Sequence, residues 1–325
     1  MSKVELFNWL LFALGSLAAL LVYAAYRKSS EIIRPARTGA LAFHPDQYRL
    51  AHEVVEFCTA DGVRLKGWFI PAVGEESGRT IIFCHGWGAN RGEMLRDTWF
   101  LAEKGFNLLY FDFRASGESK GSVSSVGYLE TRDFDAAYEF LKTNRPQQAE
   151  SVGVFGISMG GSVAAYAAVK YPELVCFLAE STFLSYKKVV ANWGWHRLKT
   201  PYFPLVALTM FFVRHKLKAD PEPYSPLYTV GKIKIPVMFI NGDHDDLVPL
   251  PEAEALFGLC PSEKKQMWVV AGASHAKCAE VGGEVYRGRV TAFFKETLRE
   301  PAPEAAPGKA PEKAPAKAPK KTSKK

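Results

Sequence analysis

Apolar residues along this chain fall into distinct patterns. Over residues 53–70 they alternate with polar ones, "EVVEFC" and then "VRLKGWFI", on either side of Asp61-Gly62. Period-two alternation around a turn dipeptide predicts an antiparallel hairpin. Beyond it the alternation stops and short continuous runs take over: "TIIFC" at 80–84, "FNLLYFDF" at 106–113, "SVGVFG" at 151–156, "LVCFLAE" at 174–180, "IPVMFING" at 235–242 and "KQMWVV" at 265–270. Continuous β-rich runs suit strands covered on both faces. Helical patterns lie between and after them, over 91–104, 129–141, 158–170, 251–259 and 281–298. A hairpin followed by strand-helix repeats predicts an α/β fold: a mostly parallel, twisted, doubly wound sheet with helices on both faces and right-handed crossovers.

One interval breaks the rhythm. Residues 181–234 separate two strands and hold Trp193, Trp195, Tyr202, Phe203, Phe211 and Phe212 among several prolines. This predicts a helical cap inserted over the sheet at about 182–232; its longest apolar run, 203–213, is too short to span a bilayer.

At the N-terminus the pattern changes again. Residues 6–26, "LFNWLLFALGSLAALLVYAAY", carry no charge over 21 positions, and a membrane-spanning helix needs ~20 apolar residues. Small residues at Ala24 and Ala25, ahead of Arg27, leave a cleaved signal peptide as the alternative. Signal-peptide apolar cores run only ~7–15 residues, which favours a retained anchor. Lys3 and Glu5 precede the run, whereas Arg27, Lys28, Arg34 and Arg37 follow it. The positive-inside rule then puts the folded body on the cytoplasmic side. The expected organisation is an anchor at 1–28, a linker at 29–50, a folded domain at 51–299 and a tail at 300–325.

Composition and charge change this picture only at the edges. At 325 residues and 48% hydrophobic, the chain can bury one large core. The tail, built from Pro, Ala and Lys without a large apolar residue, is expected to be disordered. Residues 301–325 carry seven Lys against Glu304 and Glu312, a net +5 of the chain's +7, so the body is close to balanced and a nucleic-acid-binding body is not supported. The tail reads as a solubilising extension, with contact to anionic lipid or nucleic acid as the alternative. The five cysteines are scattered, with no C-x-x-C pair, and give neither a disulfide framework nor a zinc site.

Candidate chemistry centres on "VFGISMGGS" at 154–162. A serine hydroxyl attacks a carbonyl only when a base takes its proton and a carboxylate orients that base. Ser158 stands between Gly156 and Gly160, with a strand running in and a helix running out. Small neighbours of that kind let a strained turn lift the hydroxyl above the sheet edge. Upstream, "FCHGWGANRG" at 83–92 also follows a strand, and its glycines suit a backbone amide turned toward the reaction. The expected oxyanion donors are the Trp87 N–H, after His85-Gly86, and the Met159 N–H. His85 is expected to be a structural hydrogen-bonding group. The acid should follow the next-to-last strand, where "INGDHDDLVP" at 240–249 offers Asp243, Asp245 and Asp246. Adjacent residues of one short loop point in different directions, which argues against that cluster as a metal site. The base should follow the last strand, where "VVAGASHAKC" at 269–278 supplies His275. The remaining histidines, His44, His52, His196, His215 and His244, are read as surface or packing residues.

With these segments in order, the chain resembles the α/β-hydrolase superfamily, in its serine aminopeptidase-like and esterase branch. The resemblance rests on "HGWGAN" at 85–90, "FDFRASGESKG" at 111–121, "GISMGG" at 156–161, "GDHDDLVP" at 242–249 and "GASH" at 272–275, and covers roughly residues 50–298. The family's acid lies three residues after the glycine and four before the proline of the fourth motif, a spacing that selects Asp245. Ala115 departs from the glycine usual in the second motif, which puts the tightness of that loop in question. The resemblance implies a serine hydrolase with a Ser158–Asp245–His275 triad, acting through an acyl-enzyme on small-molecule or lipid esters without metal or organic cofactor. A peptidase of the same mechanism is the alternative and needs an acidic group for a free amine, for which Glu180 is a possible source. A silent membrane-anchored binding or scaffold protein on the same fold is the non-enzymatic alternative.

Overall fold

The structure is a computed structural model that describes residues 1–37 and 41–298; the expected tail at 300–325 lies outside the described residues. A long helix, α1 (Lys3–Ile33), comes first, and β1 (Glu53–Cys58) and β2 (Arg64–Ile70) follow as an antiparallel hairpin whose turn residue Gly62 has a φ of 81°. The chain then alternates: β3 (Arg79–Cys84), α2 (Arg91–Thr98), β4 (Asn107–Phe111), α3 (Glu130–Asn144), β5 (Ser151–Ile157), α4 (Met159–Lys170) and β6 (Leu174–Glu180). The cap supplies α5 (Tyr186–Leu198), α6 (Ala207–Leu217) and the short α7 (Pro226–Thr229). After it come β7 (Val237–Gly242), α8 (Leu250–Leu259), β8 (Lys265–Val270) and α9 (Cys278–Thr297).

The eight strands form one sheet in the order β1-β2-β4-β3-β5-β6-β7-β8. From β4 to β8 the neighbours are parallel, and β2 is antiparallel to β4. The continuous apolar runs are explained by the two cores. Along β3, Ile82 and Cys84 pack with Phe134 of α3 and Val163 of α4 on one face, while Ile81 and Phe83 pack with Leu95 of α2 and Phe293 of α9 on the other. Each such side chain, fully buried, contributes roughly 1.5–3 kcal/mol. The sheet order reverses direction at β3 and β5, and the crevice at the C-terminal ends of strands on either side of such a reversal is where ligands of open α/β sheets bind.

Several element ends differ from the sequence pattern. The expected helix at 91–104 stops at Thr98, and residues Trp99–Lys104 tighten into a 3-10 turn. The Thr98 hydroxyl bonds back to the Met94 carbonyl at 2.6 Å and meets the Tyr110 hydroxyl at 2.8 Å, so a side chain takes a backbone acceptor where the helix ends. α9 starts ahead of the expected 281 and bends at Gly283, whose φ is 49°.

α1 is long and apolar enough to cross a membrane. Met1 to Leu20 are exposed throughout. The helix continues to Ile33, into the stretch expected as linker, because its end is packed: Ala25, Ser29 and Ile33, at helical spacing, are buried. On α6, Lys216 Nζ donates to the Tyr26 carbonyl at 2.9 Å and to the Ser29 and Ser30 hydroxyls at 2.7 and 2.6 Å, while Phe212 meets the Tyr26 ring edge-on.

Candidate active site

β5 is buried along its whole length and runs straight into Ser158, which holds φ 53° and ψ −113° before α4 begins at Met159. A non-glycine residue with that backbone is strained by about 1–3 kcal/mol and persists only where its surroundings over-determine it. Here they do. The Ser158 N–H donates to the Glu180 carbonyl of β6 at 2.9 Å, and the Ser158 carbonyl accepts from Gly161 and Ser162. The glycines around it are sterically required. A Cβ on Gly156 would overlap the Gly160 carbonyl, one on Gly160 the Cys84 carbonyl, and one on Gly161 the Thr182 hydroxyl. Gly161 was not singled out from the sequence; the doubled glycine in "SMGG" was its only signal.

The loop after β7 separates the three candidate acids. Asp245 is buried and its Oδ1 accepts from the Leu247 and Val248 N–H groups at 3.0 and 2.8 Å. Asp243 instead accepts from the Gly272 N–H at 2.6 Å, tying this loop to the one after β8. Asp246 is exposed, 3.7 Å from His196 of the cap. Gly242 is where the two loops touch, since a Cβ there would overlap the Ala273 carbonyl. In the second loop Ala276 takes a φ of 55° and its N–H donates to Ser181 Oγ at 3.1 Å, which fixes His275 above the end of β6.

Ser158, His275 and Asp245 are thereby brought together. His275 Nε2 lies 2.9 Å from Ser158 Oγ, and His275 Nδ1 lies 2.9 and 3.0 Å from the two Asp245 carboxylate oxygens. With Nδ1–H donating to the carboxylate, Nε2 is the free base that accepts the serine proton.

The loop after β3 lies beside this turn, because β3 pairs with β5 up to Cys84 opposite Gly156. His85 is buried there; its Nε2 accepts from the Phe113 N–H at 3.0 Å and its Nδ1 donates to the Gly86 carbonyl at 2.7 Å. Burial holds its pKa below the usual histidine value, so it is a neutral strut for the loop. A Cβ on Gly86 would meet Ser158 Cβ at an ordinary 3.7 Å, so the loop's need for glycine rests on Gly88, at φ 74°. Trp87 follows with its indole N–H donating to the Ile32 carbonyl of α1 at 2.9 Å. Met159 opens α4, whose first N–H groups have no intrahelical acceptor. Ala115 adopts φ 57° without loosening its loop: its N–H donates to Lys120, and Arg114 is clamped by Asp133 and Asp61 at 2.8 to 3.0 Å.

Ser158 sits between two cavities. One, of about 150 Å3, is apolar and is walled by Ile32, Trp87, Val126, Phe183, Val190 and Leu247. The other, of about 170 Å3, lies toward α2 and includes Glu93, Arg96, Asp97 and His275. Glu180 borders neither of them: it is sealed at the end of β6, accepts from the Tyr286 hydroxyl at 2.6 Å, and has its pKa pushed up to about 7 by burial. The acidic groups that line the second cavity with Ser158 are Glu93 and Asp97, both on α2 and not noticed in the sequence.

A strand-turn-helix serine at a switch point, with an acid and a histidine on later strand ends, defines an α/β hydrolase, and the chain belongs to that superfamily. Residues 75–221 match the family described as serine aminopeptidase, S33. Among solved structures, the Pyrococcus furiosus esterase Pf2001 is similar with 30% identity and a TM-score of 0.71, over 82% of this chain and 99% of that one. The alpha/beta hydrolase domain-containing protein WAV2 of Arabidopsis thaliana is 27% identical over 78% of this chain and 82% of its own length. Protein bem46 of Schizosaccharomyces pombe is 29% identical over 68% and 70%.

Proposed function

We propose that this protein is a membrane-anchored serine hydrolase that cleaves carboxylic esters with an apolar acyl group. The observation that carries the reading is the unbroken relay from Ser158 Oγ through the His275 ring to Asp245, with both links at 2.9 Å. Ser158 attacks the ester carbonyl as His275 Nε2 takes its proton; Asp245 holds the ring in the matching tautomer and stabilises the imidazolium. The Trp87 and Met159 N–H groups receive the oxyanion, at the positive end of α4. His275 returns the proton to the leaving alcohol, and water activated by the same ring then releases the acid. This sequence uses no metal or organic cofactor. The acyl group occupies the apolar cavity and the leaving group the polar one. α1 spans the membrane with the folded body on the cytoplasmic side, as the basic residues Arg27, Lys28, Arg34 and Arg37 favour.

Ser158→Ala is expected to leave a folded protein that neither turns over p-nitrophenyl butyrate nor reacts with a fluorophosphonate probe. Labelling that survives the substitution would place the nucleophile elsewhere. Glu93, in the cavity toward α2, supports one second reading, an aminopeptidase that pairs the substrate amine with a carboxylate; Asp97 beside it is already held by Arg96 at 2.6 and 2.7 Å. Faster turnover of aminoacyl arylamides than of simple esters would favour it.

A further inference from the structure

The end of α1 makes contacts that a tether does not need. Ile32 forms part of the apolar wall beside Ser158, with Lys28 and Glu31 at the rim. Its carbonyl accepts from the Trp87 indole, and the Ile33 carbonyl accepts from the Ser124 N–H at 2.8 Å. These are among the last carbonyls of the helix, which have no partner within it. They are satisfied by the loop expected to hold the oxyanion and by the loop that carries Val126 into the same cavity. On the opposite side Lys216 grips Tyr26, Ser29 and Ser30. The helix end is thus held on several sides with Ile32 turned into the cavity.

Its depth relative to a bilayer follows from helix geometry. An apolar run ending at Tyr26 covers the ~30 Å hydrocarbon thickness at 1.5 Å per residue. Lys28 and Glu31, paired at 2.6 Å, then stand within about 8 Å of the end of that run, at the level of the lipid headgroups. Tyr23, Tyr26 and Phe211 are exposed nearby, as aromatic side chains at membrane interfaces are. The cavity itself, at about 150 Å3, falls below the ~300–1,000 Å3 of sites that enclose a whole small molecule. It accommodates only a few methylenes, and the rest of a longer chain must continue past the rim, along α1.

We propose that the last two turns of α1 form one wall of an acyl-chain subsite, and that its ligand is the acyl chain of an amphiphilic ester resident in the bilayer. This rests on the serine-hydrolase reading and names the substrate class for it. The methylenes next to the carbonyl lie against Ile32, Trp87 and Leu247, and the distal chain stays against the apolar face of the helix and the surrounding lipid.

The test uses full-length protein in phosphatidylcholine nanodiscs, assayed on p-nitrophenyl acetate and p-nitrophenyl decanoate, with Ile32→Trp to fill the subsite and Ile32→Ala to enlarge it. Ile32→Trp is expected to lower the decanoate-to-acetate ratio of kcat/KM by about tenfold or more, and Ile32→Ala to shift the same ratio toward decanoate. Lys216→Met, which releases the grip on α1, is expected to lower the same ratio without adding bulk to the cavity. A ratio within about twofold of the native one in all three variants, or equal losses on both esters, overturns the subsite. Either result leaves the Ser158 reading standing, because that reading fails only if Ser158→Ala keeps its turnover or its labelling.

Discussion

Ser158, Asp245 and His275 each stand on a short loop at a strand end, and each loop is pinned by backbone hydrogen bonds or by a glycine with no room for a Cβ. The wall across the cleft is assembled differently, from the end of α1, the loop at Val126 and the cap helix α5, segments far apart in the sequence whose cavity-facing surface is apolar packing, with hydrogen bonds only behind it at the Ile32 and Ile33 carbonyls. The first region fixes atoms to within a hydrogen bond and suits chemistry that tolerates little displacement. The second is a packed apolar surface in which a volume change is absorbed or refused locally, so it suits discrimination among chain lengths. Damage to the first region should therefore lower turnover of every ester alike, and damage to the second should change the ranking among esters.

The largest effect that would sharpen this contrast belongs to Asp245→Asn. It keeps the shape of the loop but favours the wrong His275 tautomer, and turnover should drop on the order of 10⁴-fold on acetate and decanoate esters together. A change of ranking between the esters would break the contrast. Gly160→Ala comes next. The added methyl collides with the Cys84 carbonyl, which should shift the urea midpoint by an amount corresponding to roughly 1–3 kcal/mol of overpacking, with a loss of turnover common to both esters.

The smallest effect concerns Glu180, on the same sheet edge but outside the relay. Its folded pKa of about 7 lies above the ordinary 4.5, so the folded state holds a proton that the unfolded state gives up between those values. Stability should therefore fall as pH rises from about 4.5 through 7 and level off above it. Glu180→Gln, which keeps an acceptor for Tyr286, should flatten that slope and raise the midpoint of thermal unfolding at pH 8 relative to the native protein. The contribution is roughly 3 kcal/mol at most. A Glu180→Gln protein with the native pH slope would assign the slope to another group.

The legible parts of the molecule were those encoded locally. Strands buried on both faces produce unbroken runs such as "TIIFC", and a turn with no space for side chains writes its glycines at fixed spacing around Ser158. Asp245 was separated from Asp243 and Asp246 only through the family resemblance, because all three sit in one loop and what distinguishes them is tertiary: the Val248 N–H bonds Asp245, the Gly272 N–H bonds Asp243, and Asp246 is left exposed. Illegible altogether was the part of the cavity made by α1. Ile32 and Trp87 are 55 positions apart, and nothing in either local pattern says that a carbonyl at a helix end will meet that indole. Glu93 and Asp97 were passed over for a related reason: on an isolated helix they read as solvated charge, and only the packing of α2 beside the Ser158 turn brings them to the cleft.

The contact between Gly242 and Ala273 also sets where this scaffold can be re-engineered. Two loops that touch backbone to backbone, with Asp243 bonded across to Gly272, leave no slack for an inserted residue in either. Libraries aimed at new substrates should leave 242–248 and 270–276 intact and draw their diversity from α5 and the last turns of α1, where altered bulk changes the shape of the cleft without moving the atoms that react.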